Sequence, residues 1–460
     1  MSTPASDNSA HAASAPESGR FDTEDFLDFV AASPSAYHAA TEVGRRLLAA
    51  GFEEQDETAD WDAGPGGHFL IRGGAIAAWW VPQACAPSSS GFRIIGAHTD
   101  SPGFKLKPRG ELAYERWQQA PVEIYGGPLL HTWFDRELEM AGRVVLADGS
   151  AHLVRTGPWL RLPSLAIHLN RGANTELKLD PERHVQPIFG SSARPGSFLT
   201  LLTEELTRAG KAPAHTPIIS HDLITCDTQR GAAFGAGGEF LAAPRLDNLT
   251  SVYAGLQALL ALAGGGESTS SDDGGGSDIA VLAAFDHEEV GSGTTSGASG
   301  PLLADVLSRT AWAIGADGER EKQMYARSSC VSADSAHAVH PNYPEVHDRS
   351  HHPHVGGGPV IKVNAKARYA SDAATIALFI AACGEAGAPY QHFVSNNQVP
   401  CGSTIGPLTA TRLGIDTVDV GVPLLSMHSA REMCGASDMD ALTSALAAYY
   451  RDGLDAGHRG

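Results

Sequence analysis

Apolar positions recur with a helical period over residues 23–32 (Phe26, Leu27, Val30) and 36–50 (Val43, Leu47, Leu48). Ser33-Pro34 separates the two predicted helices, and Gly51 supplies a stop for the second. Residues 68–81 read as a hairpin turning at Gly73-Gly74, and 92–97 form an uninterrupted apolar run of buried-strand length. From 105 to 230 the texture changes to β patterns with few long helical stretches apart from 197–209. The clearest case is 143–147 and 150–155 around Asp148-Gly149, which predicts a two-residue hairpin turn. Strand–helix alternation returns after Glu239, with strands expected at 279–285, 331–333, 360–363 and 417–421. Helices are expected at 247–262, 371–386 and 438–450. Alternation of this kind predicts an α/β domain, here over 21–104 and 239–460, with a β-rich domain inserted at 105–238. Residues 1–20 read as a disordered tail, and 264–277, nearly all Gly, Ser and Asp, as a flexible loop.

Composition narrows the classes. The chain of 460 residues carries 33 Lys+Arg against 53 Asp+Glu, a net charge of −20. A nucleic-acid binder would show a basic footprint instead, and anionic membranes would repel such a chain. No apolar run reaches the ~18–20 residues of a spanning helix, and the N-terminus lacks a secretory h-region. Six scattered cysteines without a Cys-x-x-Cys pair fit thiols in a reducing cytoplasm. The 20 histidines beside 53 carboxylates are a generous supply of metal ligands.

Four polar clusters follow short apolar runs: His98-Thr99-Asp100, Asp286-His287-Glu288-Glu289, Ala333-Asp334 and Met427-His428. A fifth residue, Asp247, stands where a loop enters a helix. In open α/β sheets, sites collect at the carboxyl ends of strands, so these clusters should converge. Each has an ordinary reading taken singly: a loop hydrogen-bond pair, a solvated acidic turn, a helix N-cap. Together, carboxylates and imidazoles in one crevice need a cation to neutralise them. A pair of divalent ions bridged by one carboxylate meets that need. The donor set suits zinc, with manganese or cobalt as substitutes. Asp100 is placed to hold the other N–H of His98. The Glu288-Glu289 doublet offers one base and one ligand.

Through these residues and the motifs around them, the sequence closely resembles the aspartyl aminopeptidase family of di-zinc metallopeptidases. The resemblance runs through Ser33-Pro34-Ser35-Ala36-Tyr37-His38, Gly96-Ala97-His98-Thr99-Asp100-Ser101-Pro102 and His131-Thr132-Trp133-Phe134-Asp135-Arg136. It continues through Leu165-Ala166-Ile167-His168, Arg245-Leu246-Asp247-Asn248-Leu249, Asp286-His287-Glu288-Glu289-Val290-Gly291 and Ser332-Ala333-Asp334. His337-Ala338-Val339-His340, Gly358-Pro359-Val360-Ile361-Lys362, Cys401-Gly402-Ser403-Thr404 and Ser426-Met427-His428-Ser429 complete it.

The resemblance implies a zinc-peptidase α/β/α catalytic domain interrupted by a β-rich dimerisation domain. It implies self-association into a large homo-oligomer, typically a tetrahedral homododecamer built from dimers. Two zinc ions per chain follow, one on His98 and Asp334, the other on Glu289 and His428, with Asp247 bridging and Glu288 as general base. The implied reaction releases N-terminal Asp or Glu from peptides, through a hydroxide bridging the metals. Lys362, with Arg368 in reserve, is the expected cation for the acidic side chain, and His337 adds a hydrogen bond. His168 is expected to reach a neighbouring subunit's site. The uncharged Ser395-Asn396-Asn397-Gln398 and Val346-His347 depart from the family pattern beside the pocket. Rival readings are a broad-specificity di-metal aminopeptidase or deacylase, and, in another class, a non-catalytic self-assembling shell protein.

Overall fold

The computed structural model describes residues 21–61, 64–191, 196–213, 216–264 and 278–451; the expected tail and nearly all of the expected loop lie outside them. A nine-stranded sheet organises the larger part. Its centre is a parallel set in the order Ile279–Phe285, Phe92–His98, Ser329–Ala333, Asp416–Gly421. On one side the antiparallel hairpin Gly66–Arg72 and Ala75–Val81 extends it; on the other, Val360–Val363 and Gln391–Val394.

Side chains alternate across this sheet. Ile95, Ala97, Ala280, Leu282, Val331 and Val418 face a core shared with the helices Thr23–Ala32, Ala36–Ala49, Leu246–Gly264, Ala373–Ala386 and Ala436–Tyr449. Phe92, Ile94, Val281, Ala283 and Cys330 face a second core shared with Leu302–Ala313, Gly318–Arg327 and Gly406–Leu413. Both faces are covered, which is why the central strands read as unbroken apolar runs. The result is three layers, α/β/α.

The second large sheet is antiparallel throughout and holds the strands between residues 103 and 227. The helix Phe198–Arg208 and Trp133 close its core. The strand bounds differ from the pattern's 105 and 238. Gly103–Leu106 is already part of this sheet, whereas Ala232–Phe234 pairs with Phe240–Ala243, and that strand pairs with Glu432–Gly435. The Asp148-Gly149 turn also differs. Leu146 N–H bonds to Ser150 C=O and Gly149 has φ +86°, giving a three-residue loop with a left-handed glycine.

The helix Leu246–Gly264 presses hard on the sheet, since a Cβ at Gly255 would lie 2.7 Å from Leu282 Cδ1. That close approach sets the start of the helix, and Asp247 with it, over the carboxyl ends of the strands.

Candidate metal centre

His98 ends one central strand, Asp286 follows the next, and Asp334 follows a third. Met427-His428 departs from expectation. It lies on a loop between Pro423–Leu424 and Glu432–Gly435, beyond the last main-sheet strand, Asp416–Gly421. The convergence nevertheless holds. Asp247 Oδ1 lies 3.4 Å from His98 Nε2, which is also 3.4 Å from Asp334 Oδ1. Asp247 Oδ2 lies 3.3 Å from His428 Nε2, which is 3.5 Å from Glu289 Oε2. Two triads of one imidazole and two carboxylates therefore share Asp247, one oxygen to each. Glu288 stands outside both, with a carboxylate oxygen within 4.8 Å of a His98 ring nitrogen and a Glu289 oxygen.

Several anchors hold this arrangement. Both rings present Nε2 to Asp247 because Nδ1 is taken by a carbonyl, Asp100 O at 3.0 Å for His98 and Gly127 O at 3.1 Å for His428. Asp100 faces His98 Nδ1 with both groups, its carbonyl at 3.0 Å and its carboxylate Oδ1 at 3.4 Å. The carboxylate also accepts from the backbone N–H groups of Glu288 (3.0 Å) and Glu289 (3.1 Å) and from Tyr125 Oη (2.8 Å). Asn248 Nδ2 donates to Ala333 O at 2.8 Å, and Ser101 Oγ to Asp247 O at 2.6 Å, tying the triads' segments together. Left-handed backbone at Arg245, His287 and His428 clusters here, each residue costing roughly 1–2 kcal/mol.

Sequence reasoning missed Glu432. Its side chain is buried, and its two oxygens accept from Asp247 N–H (2.9 Å) and His428 N–H (2.6 Å). The available signal was a lone carboxylate opening a short, largely apolar strand.

Electrostatics are those of crowded carboxylates. Burial, reinforced by Asp334, Asp100 and Asp247, pushes Glu288 up to about 7. Burial and Asp247 likewise raise Glu289 well above the carboxylate range. Burial also opposes ionisation of Asp247, yet the His428 and His98 imidazoles facing it hold it far below that range. Asp247 Oδ1 and Glu289 Oε1 are buried without a hydrogen-bond partner, where most buried polar atoms have one. Two N/O/O triads, a shared carboxylate and unpartnered oxygens fit a pair of divalent cations.

Beside the triads a cavity of about 290 Å³ is lined by His337, His340, His347, Tyr369, Phe393 and Asn396 among others. His337 packs edge-on to Phe393, its ring open to the cavity but walled by protein; burial, then Lys362, hold its imidazole below the ordinary value. Lys362 does not line the cavity. It is 2% exposed, with Nζ 3.2 Å from Asp334 Oδ2 and 2.9 Å from Ser335 O, so the cation expected to await substrate already has a partner. Arg368 is exposed. His168 lies on an exposed turn between Leu165, Ile167 and Leu169, which are 62%, 46% and 75% exposed, and joins none of the site's ion pairs.

Known proteins resemble this chain over nearly its whole length. The profile of the aminopeptidase I zinc metalloprotease family, M18, matches residues 29–450. A probable M18 family aminopeptidase 2 of Streptomyces coelicolor is 49% identical over 437 residues, covering 94% of this chain and 98% of the relative. A Mycobacterium bovis protein of the same name is 43% identical over 429 residues, covering 92% and 96%. Among solved structures, an Ape4–Nbr1 complex aligns with a TM-score of 0.86 at 37% identity, covering 93% of this chain and 85% of the other. The Saccharomyces cerevisiae mApe1 dodecamer aligns at 0.79 and 27% identity, covering 93% and 95%.

Proposed function

Because the chain belongs to the M18 family of zinc aminopeptidases and is a metal-dependent aminopeptidase of that family, we propose that it removes N-terminal acidic residues from peptides. In this reading His98, Asp334, Glu289 and His428, with Asp247 common to both triads, would hold two zinc ions per chain, or manganese or cobalt in their place. The observation that carries it is the shared carboxylate, one oxygen toward each triad. When bound, such ions polarise the scissile carbonyl and acidify water. Glu288, committed to neither triad, takes the proton from the attacking water and delivers it to the leaving amine. Asp100 fixes the backbone of Glu288 and Glu289, keeping base and ligand in register.

The cavity receives the substrate's first side chain, and its polar lining of His337, His340, His347 and Asn396 offers hydrogen bonds to a carboxylate. A broader specificity is the second reading, favoured by the absence of lysine and arginine from that lining. Turnover of aspartyl, glutamyl, leucyl and N-acyl substrates, measured side by side, separates the two. Lys362 bears on the same question. Because Lys362 is buried outside the lining and paired with Asp334, Lys362→Met should depress aspartyl and leucyl turnover alike; a selective aspartyl loss of about tenfold or more would instead give its charge a role in reading the substrate. An unchanged aspartyl-to-leucyl ratio would leave Lys362 serving Asp334 alone.

The antiparallel sheet of residues 103–227 is proposed as the dimerisation domain of a cytoplasmic homododecamer. The dodecameric mApe1 relative supports this. So do the exposed Leu165, Ile167 and Leu169 around His168, an apolar set that a neighbouring subunit would cover. In that assembly His168 reaches the neighbour's site. Mixing inactive Glu288→Gln chains with inactive His168→Phe chains should then restore activity through hybrid sites. No recovery after verified subunit exchange would confine His168 to its own chain.

A further inference from the structure

Glu432 holds the backbone of two proposed metal-binding residues at once, although one of them is 185 residues away in sequence. From this geometry we infer that Glu432 is a positioning residue that builds the Asp247–Glu289–His428 triad, and that without it this triad loses its metal while the His98–Asp334 position keeps its own. The inference rests on the di-metal reading of the site.

A carboxylate has two oxygens and no proton to donate, so it can accept from two N–H groups simultaneously. Oε2 takes the N–H of Asp247 at 2.9 Å, and Oε1 takes that of His428 at 2.6 Å. Both N–H groups favour the ionised form, against burial and the neighbouring Asp247, which push this carboxyl up to about 8. The two bonds act on two segments that nothing regular holds. Asp247 has φ −82° and ψ 102°, outside helical values, and His428 has φ +67°. Neither conformation is enforced by its own secondary structure, so the position of each side chain depends on what fixes its peptide.

The clamp is itself fixed. Glu432 opens the strand Glu432–Gly435 and pairs in register with Ala243, on the strand whose chain runs on to Asp247. Its side chain is 2% exposed, leaving water little access to compete for the two N–H groups.

The arrangement also has a counterpart. Asp100 accepts from the N–H groups of Glu288 and Glu289, just as Glu432 accepts from those of Asp247 and His428. Two buried carboxylates thus orient the ligand segments from behind. The split between the metal positions follows from who holds what. His98 is fixed by Asp100 O and Asp334 by its own strand end and Lys362, neither through Glu432. His428 has its N–H on Glu432, while its ring faces Gly127 O and its carbonyl accepts from Leu129 N–H, so of its three anchors Glu432 is the one that also holds Asp247. Asp247 keeps Ser101 on its carbonyl, and Asn248 keeps its bond to Ala333 O, so its oxygen toward His98 has support besides the clamp.

Glutamine tests this with little change of volume. Its amide oxygen can accept from one N–H, but its NH₂ is turned against the other. Free zinc is set by a buffer and bound metal is counted after equilibrium dialysis, together with assembly size and near-UV circular dichroism. Wild type is expected to hold two ions per chain. Glu432→Gln should hold one, one of the two affinities falling about 10–100-fold and the other staying unchanged. Glu432→Asp, one methylene too short to span both N–H groups, should show the same loss. Two ions at unchanged affinity in either variant would overturn the inference. Equal weakening of both ions would overturn it too, as would failure of both variants to fold in saturating zinc, since Glu432 would then serve the whole fold. A wild-type chain that does not bind two ions sinks the di-metal reading itself, a result told apart by the wild-type arm alone.

Discussion

Glu288→Gln is expected to lower kcat by about 10²–10⁴-fold while the chain keeps the two metal ions proposed for it. The size follows from what positioned general bases contribute. Glutamine nearly matches the shape of glutamate but cannot take a proton from water. Glu288 stands outside both triads, so the substitution removes no proposed ligand. Its backbone N–H still bonds to Asp100, so the turn that also carries Glu289 stays in place. Steady-state kinetics and metal analysis on the same preparation check the two halves of the claim. Metal loss in parallel with activity would make Glu288 a ligand and move the base elsewhere.

Asp247→Ala should fail the other way, with activity falling below detection because neither ion is retained. Asp247 is the single residue of which both triads make use: Oδ1 is 3.4 Å from His98 Nε2 and Oδ2 is 3.3 Å from His428 Nε2. Truncation takes one of three proposed donors from each position at once. The remaining carboxylates still repel one another, but the bridge that shares charge between two cations is gone. Metal content after dialysis into buffer with micromolar zinc should drop to traces. A chelator should shift the melting temperature of wild type, whose bound ions stabilise the native state by mass action, and leave that of Asp247→Ala unmoved. Retention of one ion per chain would show that Asp247 serves one position only. The contrast with Glu288→Gln is the informative part: one variant keeps metal and loses turnover, the other loses both.

How much of this was legible beforehand differs residue by residue. His98 and Asp334 could be placed because each closes a short apolar run, and a parallel strand buried on both faces must end at its polar boundary. Asp247 was legible as the entry to a helix, though its non-helical backbone was not. His428 drew attention as a strand-end residue, yet it sits on a loop beyond the main sheet and reaches the site because Glu432 and Gly127 hold it there. The burial of Lys362 was readable from Val360, Ile361 and Val363; its partner was not, because Asp334 lies 28 residues away, just past the end of a different strand. At 148–149 local turn preference pointed to two residues, and the strand register selected three.

What the sequence determined by itself was the alternation of elements, the apolar stripes that make three layers, the types of donor available and their order along the chain. Those are local properties, set by period, turn chemistry and the capacities of single side chains. Tertiary structure alone decided which oxygen of Asp247 meets which imidazole, that Asp100 holds His98 by its carbonyl, that Lys362 is paired with Asp334, and that Glu432 clamps two distant peptides. Such relations depend on distances of a few ångströms between segments up to 301 residues apart. Periodicity carries no information at that scale, because a hydrogen bond depends on where two atoms arrive after the chain has packed.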